Sequence, residues 1–364
     1  MQYLPFQWMT LSFSVSALLS LSIIFWFRHI SALGANRNDI SAVQASHLSP
    51  TARIGGLAIF FAIIFAAGLS HSADKWSLFI LLSGSALPVF AVGLAEDFGY
   101  FASPRSRLLA AAVSGILFVA LTGQWILRTG IPVFDTALHW SPFAIAFSIF
   151  LAVGISHAFN LIDGLNGLAG STALGASVAL AIIAHQAGLS EHRDILLTIA
   201  AAILGFLVFN FPFGKIFLGD AGAYTIGHLL VCMSVSILFE APNVTPFAML
   251  LIFFWPIADT LLAITRRLSL KKSIVEPDRL HFHQLVMRAV EIVILGKKKR
   301  LITNPIATLC TLPFIFAPMV AGVLFSLDRG NAAIACATFT VVFVTTYKMG
   351  IWLVPKLRRT ARPK

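Results

Sequence analysis

The sequence predicts an all-α, polytopic integral membrane protein, and three observations carry that prediction. Only 11 % of its 364 residues are charged and 58 % are hydrophobic, whereas water-soluble chains carry about 25 % charged residues. The mean hydropathy is +0.88. Apolar runs of about the 17–25 residues needed to cross a bilayer recur along the whole chain. A soluble chain of this length would form roughly two domains, and the few charged side chains cannot coat two such surfaces.

Taken in order, the candidate spans are 8–27, 54–70, 78–95, 108–127, 142–157, 169–188, 195–210, 223–239, 245–264, 306–326 and 332–354. The expected architecture is therefore one membrane-embedded domain, 1–364, with about ten or eleven transmembrane helices. The first run has no Lys or Arg before it and Arg28 after it, which marks a spanning helix rather than a cleaved signal peptide. No internal repeat or low-complexity segment is visible, so an inverted-repeat transporter architecture gains no support.

Charge sets the orientation. If the N-terminus lies outside, the inner segments are 28–53, 96–107, 158–168, 211–222, 265–305 and the C-terminal tail. These hold 21 of the 26 Lys and Arg residues, against four in the outer loops (Lys75, Arg128, Arg193 and Arg329). This follows the positive-inside rule. The net charge of +11 thus suits an anionic lipid surface and not nucleic acid, and the basic tail 356–364 reads as a stop-transfer anchor. Cys232, Cys310 and Cys336 all lie inside apolar runs, which indicates neither a disulfide framework nor a zinc cluster.

Acidic residues at the inner span ends carry the chemistry: Glu96-Asp97, Asp163, Asp220, Asp259 and Asp278. Ionisable groups at membrane depth are costly and default to a functional reading; capping of helix ends is the plain alternative. Adjacent Glu96 and Asp97 repel one another, which suits a base or a divalent-cation site. Asn160, Asp163 and Asn166 recur every three residues, a spacing expected to place them on one side of a helical turn. Their oxygens suit Mg²⁺ or a nucleotide's base and ribose. Asp220 stands in Gly219-Asp220-Ala221-Gly222, where a carboxylate can meet a phosphate-bound cation. Arg279, His281 and His283, in the stretch from Pro277 to Gln284, can hold phosphate. Zinc ligation by the two histidines ranks lower, because no third or fourth Cys or His has suitable spacing.

In these residues the chain resembles the polyprenyl-phosphate N-acetylhexosamine-1-phosphate transferases, the glycosyltransferase 4 family. The resemblance covers nearly the whole chain in motif order. It runs from Asp39 and His47–Gly56 through the acidic pair, the 157–167 segment, Phe217-Leu218-Gly219-Asp220-Ala221-Gly222 and Pro256–Thr260 with Arg266-Arg267 to Pro277–Gln284. Five positions depart from the family pattern. Glu96 stands where the first of two Asp residues is usual, His157 replaces an Asn, Asn166 an Asp, Ala223 a Ser and Gln284 a His.

The resemblance implies transfer of a sugar-1-phosphate from a UDP-N-acetylhexosamine to undecaprenyl phosphate, with release of UMP. Mg²⁺ is the implied cofactor, with Mn²⁺ as a substitute. Asp220 would be a metal ligand and Asn160 its companion. Asp163, Asn210 and Phe217 would line the nucleoside pocket, with Asn166 and Arg279 also on substrate. Glu96 and Asp97 would lie near the attacking phosphate, and His281 and His283 on the donor phosphates. The lack of consecutive histidines points to the branch that starts O-antigen, teichoic acid or other envelope glycans with N-acetylglucosamine or a related sugar. The expected location is a bacterial inner membrane, amid membrane lipids, with the C-terminus cytoplasmic; a homodimer is compatible with this reading. The rival classes are a secondary transporter and a non-catalytic assembly scaffold.

Overall fold

The computed structural model describes residues 4–27, 51–69, 78–100, 103–269, 280–292 and 300–360. Asp39, His47, Asp278 and Arg279, together with most of the expected first loop and parts of the loop 265–305, lie outside the described residues.

Fifteen helices account for nearly all of the described chain, and no strand occurs among the described residues. They are α1 (Leu4–Phe27), α2 (Gly55–Leu69), α3 (Leu78–Ser85), α4 (Leu87–Asp97), α5 (Pro104–Thr122), α6 (Pro132–Leu138), α7 (Ser141–Ile162) and α8 (Leu168–Gln186). Then follow α9 (Ser190–Asn210), α10 (Gly219–Glu240), α11 (Pro246–Ile252), α12 (Phe254–Ser269), α13 (Phe282–Val290), α14 (Arg300–Leu324) and α15 (Arg329–Thr360).

Among the described residues, eight helices are long and apolar enough to cross a membrane singly, and two bent pairs raise the number to ten. The bent pairs are α3 with α4, at 42°, and α11 with α12, at 75°. The shorter apolar helix α2 completes a one-for-one match with the eleven apolar runs. Pro88 opens α4, and proline's missing N–H breaks the ladder there. The break is braced from inside by Ser85 Oγ, 2.9 Å from His228 Nε2 on α10.

Several helix ends depart from the sequence expectation, each for a local reason. The fourth span is expected at 108–127, but α5 begins at Pro104. Ser103 caps it by accepting the Ser106 N–H at 3.1 Å, and Gly123 ends it at φ +68°. An N-cap Ser followed by Pro, with a left-handed Gly at the other end, fixes helix limits more firmly than apolarity does. Arg105 and Arg107 consequently sit in the first turn of α5 and not in a loop. Two short helices, α6 and α13, occupy segments read as loops. Glu96 and Asp97 are the last two residues of α4.

The bundle is organised around α10. Its 22 residues span about 33 Å at 1.5 Å per residue. Of its apolar window 94 % is buried, against 17 % for α1 and 22 % for α15, so α10 is the axis while α1 and α15 present most of their surface outward. Small residues allow this enclosure. Gly227 leaves room for a Cβ only 2.7 Å from the Ser156 Cα of α7, and Gly56 of α2 lies directly on the Gly222 backbone. Close backbone approach through small residues is the usual basis of helix association in a membrane. Just before α10, Phe217 N–H bonds the Ala52 carbonyl at 2.8 Å, while Gly55 and Gly56 N–H groups bond Phe217 and Leu218 carbonyls at 2.9 and 2.8 Å. This ladder fastens the segment carrying Arg53 to the start of α10.

Candidate active site

The N-terminus of α10 gathers acids from two other segments, α4 and the α7–α8 loop. The first N–H groups of a helix lack partners within the helix, and here a carboxylate from a neighbouring helix supplies them. Asp97 Oδ1 accepts the Asp220 N–H at 2.8 Å and Oδ2 accepts the Ala221 N–H at 2.9 Å. This is possible because Gly219, at φ +76°, has no Cβ; one would fall on the Arg53 carbonyl and 2.6 Å from Asp97 Oδ2. The Asp220 side chain is then held from two sides. Asn160 Nδ2 donates to Oδ1 at 2.9 Å, and Arg107 stands 3.7 Å from Oδ2 and 3.9 Å from Glu96.

Asp163 faces the same point from the α7–α8 loop. Burial raises its pKa to about 7, with Asp220 adding to the rise, while Arg53 and the Gly219 N–H act against it. A carboxyl half-ionised near neutrality, beside a second carboxylate, is a group poised to meet a cation or a proton.

Asn160, Asp163 and Asn166 do not share a helical face. Helix α7 ends at Ile162, Asp163 is its C-cap, and Asn166 lies in the turn before α8. Glycine at 164 and 167 ends the helical repeat that three-residue spacing suggested. Asn166 and Asn210 are both buried and serve as braces. Asn210 Oδ1 accepts the Gly167 N–H at 2.7 Å, and its Nδ2 donates to the Ile216 carbonyl at 2.7 Å. Asn166 Nδ2 donates to the Pro212 carbonyl at 3.0 Å, and its backbone is gripped by Asn304 Oδ1 and Thr308 Oγ1 of α14. Together they knit the loop bearing Asp163 to the loop bearing Phe217 and Gly219. Phe217 is half-buried.

A second cluster adjoins the first. His281 Nδ1–H donates to Asp259 Oδ2 at 2.9 Å, and the His283 ring stacks on His281 at 5.7 Å with 12° between planes. His283 is 1 % exposed and sits against Gly164, where a Cβ would come within 2.7 Å of its Nε2. Burial lowers the His283 pKa to about 4, with His281 adding to the fall and Asp259 opposing it, so His283 is a neutral imidazole at physiological pH. The contact with Gly164, next to Asp163, joins the two clusters into one site.

Two groups in the site carried no assignment from the sequence. Arg107 falls inside an apparent loop until the Ser103-Pro104 cap is recognised as the start of α5. His157, one turn before Asn160, donates Nδ1–H to the Val153 carbonyl at 2.9 Å and packs on Tyr224 at 4.9 Å. Asp259, placed by the resemblance without a role, proves to be the partner of His281; an acid inside an apolar span is the signal for it.

Among the described residues, no three His, Cys, Asp or Glu side chains converge as a metal cage. Asp220 with Asn160 offers a sparser donor set, amid four carboxylates that outnumber the nearby Arg53 and Arg107. Joint ligation would need the Asn160 amide to turn its oxygen inward, an exchange that leaves the shape of the side chain unchanged. Few protein oxygens suit Mg²⁺, which keeps water and substrate phosphates in its shell.

The model of glycosyl transferase family 4 matches residues 78–238, from α3 through α10. A decaprenyl-phosphate N-acetylglucosaminephosphotransferase of Mycobacterium tuberculosis is 30 % identical over 86 % of this chain and 80 % of its own. The chain belongs to glycosyl transferase family 4. A probable undecaprenyl-phosphate N-acetylglucosaminyl 1-phosphate transferase of Bacillus subtilis is 31 % identical, over 65 % of each chain. A phospho-N-acetylmuramoyl-pentapeptide-transferase of Oceanobacillus iheyensis is 30 % identical over 75 % of this chain and 86 % of its own. These relatives are transferases, and this family 4 chain is an enzyme rather than a transporter.

Proposed function

We propose that the chain transfers N-acetylglucosamine-1-phosphate, or a closely related N-acetylhexosamine-1-phosphate, from a UDP-sugar to undecaprenyl phosphate. UMP leaves, and the lipid-linked product starts a cell-envelope glycan. The observation that carries this reading is the single constellation of Glu96, Asp97, Asp163 and Asp220 with Arg53, Arg107 and His281. Acids that can hold a cation alternate there with bases that can hold phosphate. The printed activities of the mycobacterial and Bacillus relatives support the polyprenyl-phosphate acceptor and the N-acetylglucosamine phosphate donor group.

In this mechanism an oxygen of the prenyl phosphate attacks the sugar-bearing phosphorus. The bond from that phosphorus to the bridging oxygen breaks, and its electron pair leaves on UMP. Phosphoryl transfer of this kind needs positioning and charge compensation more than covalent participation. Asp220 and Asn160 would hold Mg²⁺, which supplies compensation for charge growing on the leaving phosphate. Arg107, already paired with Asp220 and Glu96, is placed to neutralise donor phosphate oxygens. Glu96 takes the last proton of the acceptor phosphate or orients that group. His281 donates a hydrogen bond to donor phosphate.

The excess of basic residues in the segments flanking the site supports placing this end of the bundle in the cytoplasm of a bacterial inner membrane. Purified protein in detergent, given undecaprenyl phosphate and a panel of UDP-sugars, tests the reading by UMP release. Wild-type turnover also separates an enzyme from an assembly scaffold.

A further inference from the structure

The carboxylate of Asp259 is 2 % exposed, on the bent helix α12 beside Trp255 and Phe282. A carboxylate in such surroundings is expensive unless both oxygens are satisfied. They are divided between two tasks. Oδ1 accepts the Phe282 N–H at 3.0 Å and so caps α13 from another helix; Oδ2 accepts the His281 Nδ1–H at 2.9 Å. The cap alone asks for one neutral oxygen, which Ser or Asn would supply. The second bond has a chemical consequence. It commits Nδ1 as a donor and leaves Nε2, which has no partner among the described residues, as the working nitrogen. Stacking on His283 fixes the plane of the same ring.

We propose that Asp259 is a positioning residue: it locks the His281 ring with Nδ1–H inward, so that Nε2 is the nitrogen presented to the phosphates of the nucleotide-sugar. This rests on the sugar-phosphate transfer read above. Among the described residues, the charged and titratable groups around His281 are Asp259 and Arg266 from α12, His283 from α13 and Tyr347 from α15, with Asp163 beyond Gly164 in the α7–α8 loop. Arg266 and Tyr347 both bond the neighbouring Leu280 carbonyl. Among the described residues, Asp259 is the carboxylate in hydrogen-bond contact with the ring.

The test compares Asp259→Asn, His281→Gln and the double variant with wild type, through kcat, KM for each substrate and the thermal midpoint. Asn keeps the volume and an oxygen for the Phe282 cap, so the thermal midpoint should stay near wild type. Loss of a carboxylate that orients a working imidazole costs on the order of 10- to 100-fold where such partners have been removed from metal-bound histidines, and a loss of that size in kcat/KM for the UDP-sugar is expected here. KM for undecaprenyl phosphate should not move. The double variant should be no slower than His281→Gln alone. An Asp259→Asn enzyme with the wild-type kcat/KM for the UDP-sugar would overturn the proposal. So would a double variant with multiplied losses, or an Asn variant that fails to fold, which would leave Asp259 a structural cap. Absence of UMP release by wild type would refute the parent reading instead, and the proposal with it.

Discussion

The carboxylate of Asp97 accepts the backbone N–H groups of both Asp220 and Ala221, at 2.8 and 2.9 Å, so one acid of the site crowns the helix that carries the next. Asp97 is therefore structural and electrostatic at once. An anion at a helix N-terminus is favoured by the helix dipole, and its position in turn fixes where the Asp220 side chain begins. Asp259 repeats the arrangement at the start of α13. In both places a carboxylate from a preceding helix ties a functional residue to the bundle.

Asp97→Asn should consequently lower stability as well as rate. An amide offers one acceptor oxygen where the carboxylate offers two, so one of the two N–H groups loses its partner. An unsatisfied buried donor costs about 1–3 kcal/mol. A fall in thermal midpoint together with loss of UMP release is expected; an Asn variant as stable as wild type would contradict the crowning role.

Glu96, one residue earlier, faces Arg107 at 3.9 Å and should behave differently. Glu96→Gln should lose most activity with an unchanged melting curve, and Glu96→Asp should keep measurable activity. The deficit of the Gln variant should shrink as pH rises, because a phosphomonoester with a second pKa of about 6 becomes a dianion without help. Rate-versus-pH curves for the three proteins check this. A Gln variant matching wild type from acid to alkaline pH would remove Glu96 from the mechanism.

Asp163 and His283 should impose opposite pH slopes on stability. The folded-state pKa of Asp163 is raised from 3.8 to about 7, so between those values the folded chain binds more protons than the unfolded one, and stability falls as pH rises. For His283 the value is lowered from 6.5 to about 4. There the unfolded chain binds more protons, and stability rises with pH across that window. The two effects oppose each other in wild type. Asp163→Asn should expose the rising slope and His283→Gln the falling one, read as melting temperature against pH from 4 to 7 in the presence of a chelator. Parallel curves for all three proteins would contradict the assignment.

Much of the fold is legible in the sequence because bilayer crossing demands long apolar runs, and each of the eleven runs has its helix or bent pair. The ends are less legible. Ser103 and Gly123 set α5, and hydropathy cannot see a cap. The site divides along the same line. Asp220 and the acidic pair can be found because charges stand out in apolar surroundings. Asn166 and Asn210 look like ligand groups in sequence; in the fold Asn210 binds Gly167 and Ile216 and Asn166 binds Pro212 through Nδ2, and such long-range bracing leaves no local pattern. Arg107 hides behind the misread start of α5.

Gly164→Ala probes the junction between the two clusters. The added Cβ would come within 2.7 Å of the His283 Nε2, and this imidazole is buried and cannot retreat into solvent. Overpacking of this kind costs about 1–3 kcal/mol. A lower melting temperature and slower turnover are expected, with part of the stability restored in Gly164→Ala/His283→Ala. An Ala variant indistinguishable from wild type would mean the clusters are not rigidly joined.

The most direct measurement is UMP release by purified protein from UDP-N-acetylglucosamine, with and without undecaprenyl phosphate, for wild type and Asp220→Asn at fixed Mg²⁺. The predicted result is turnover that requires the lipid phosphate and Mg²⁺ in wild type and is abolished in a folded Asp220→Asn protein. Wild-type turnover that persists at full rate in Asp220→Asn, or a wild-type protein that releases no UMP from any UDP-N-acetylhexosamine, would contradict it.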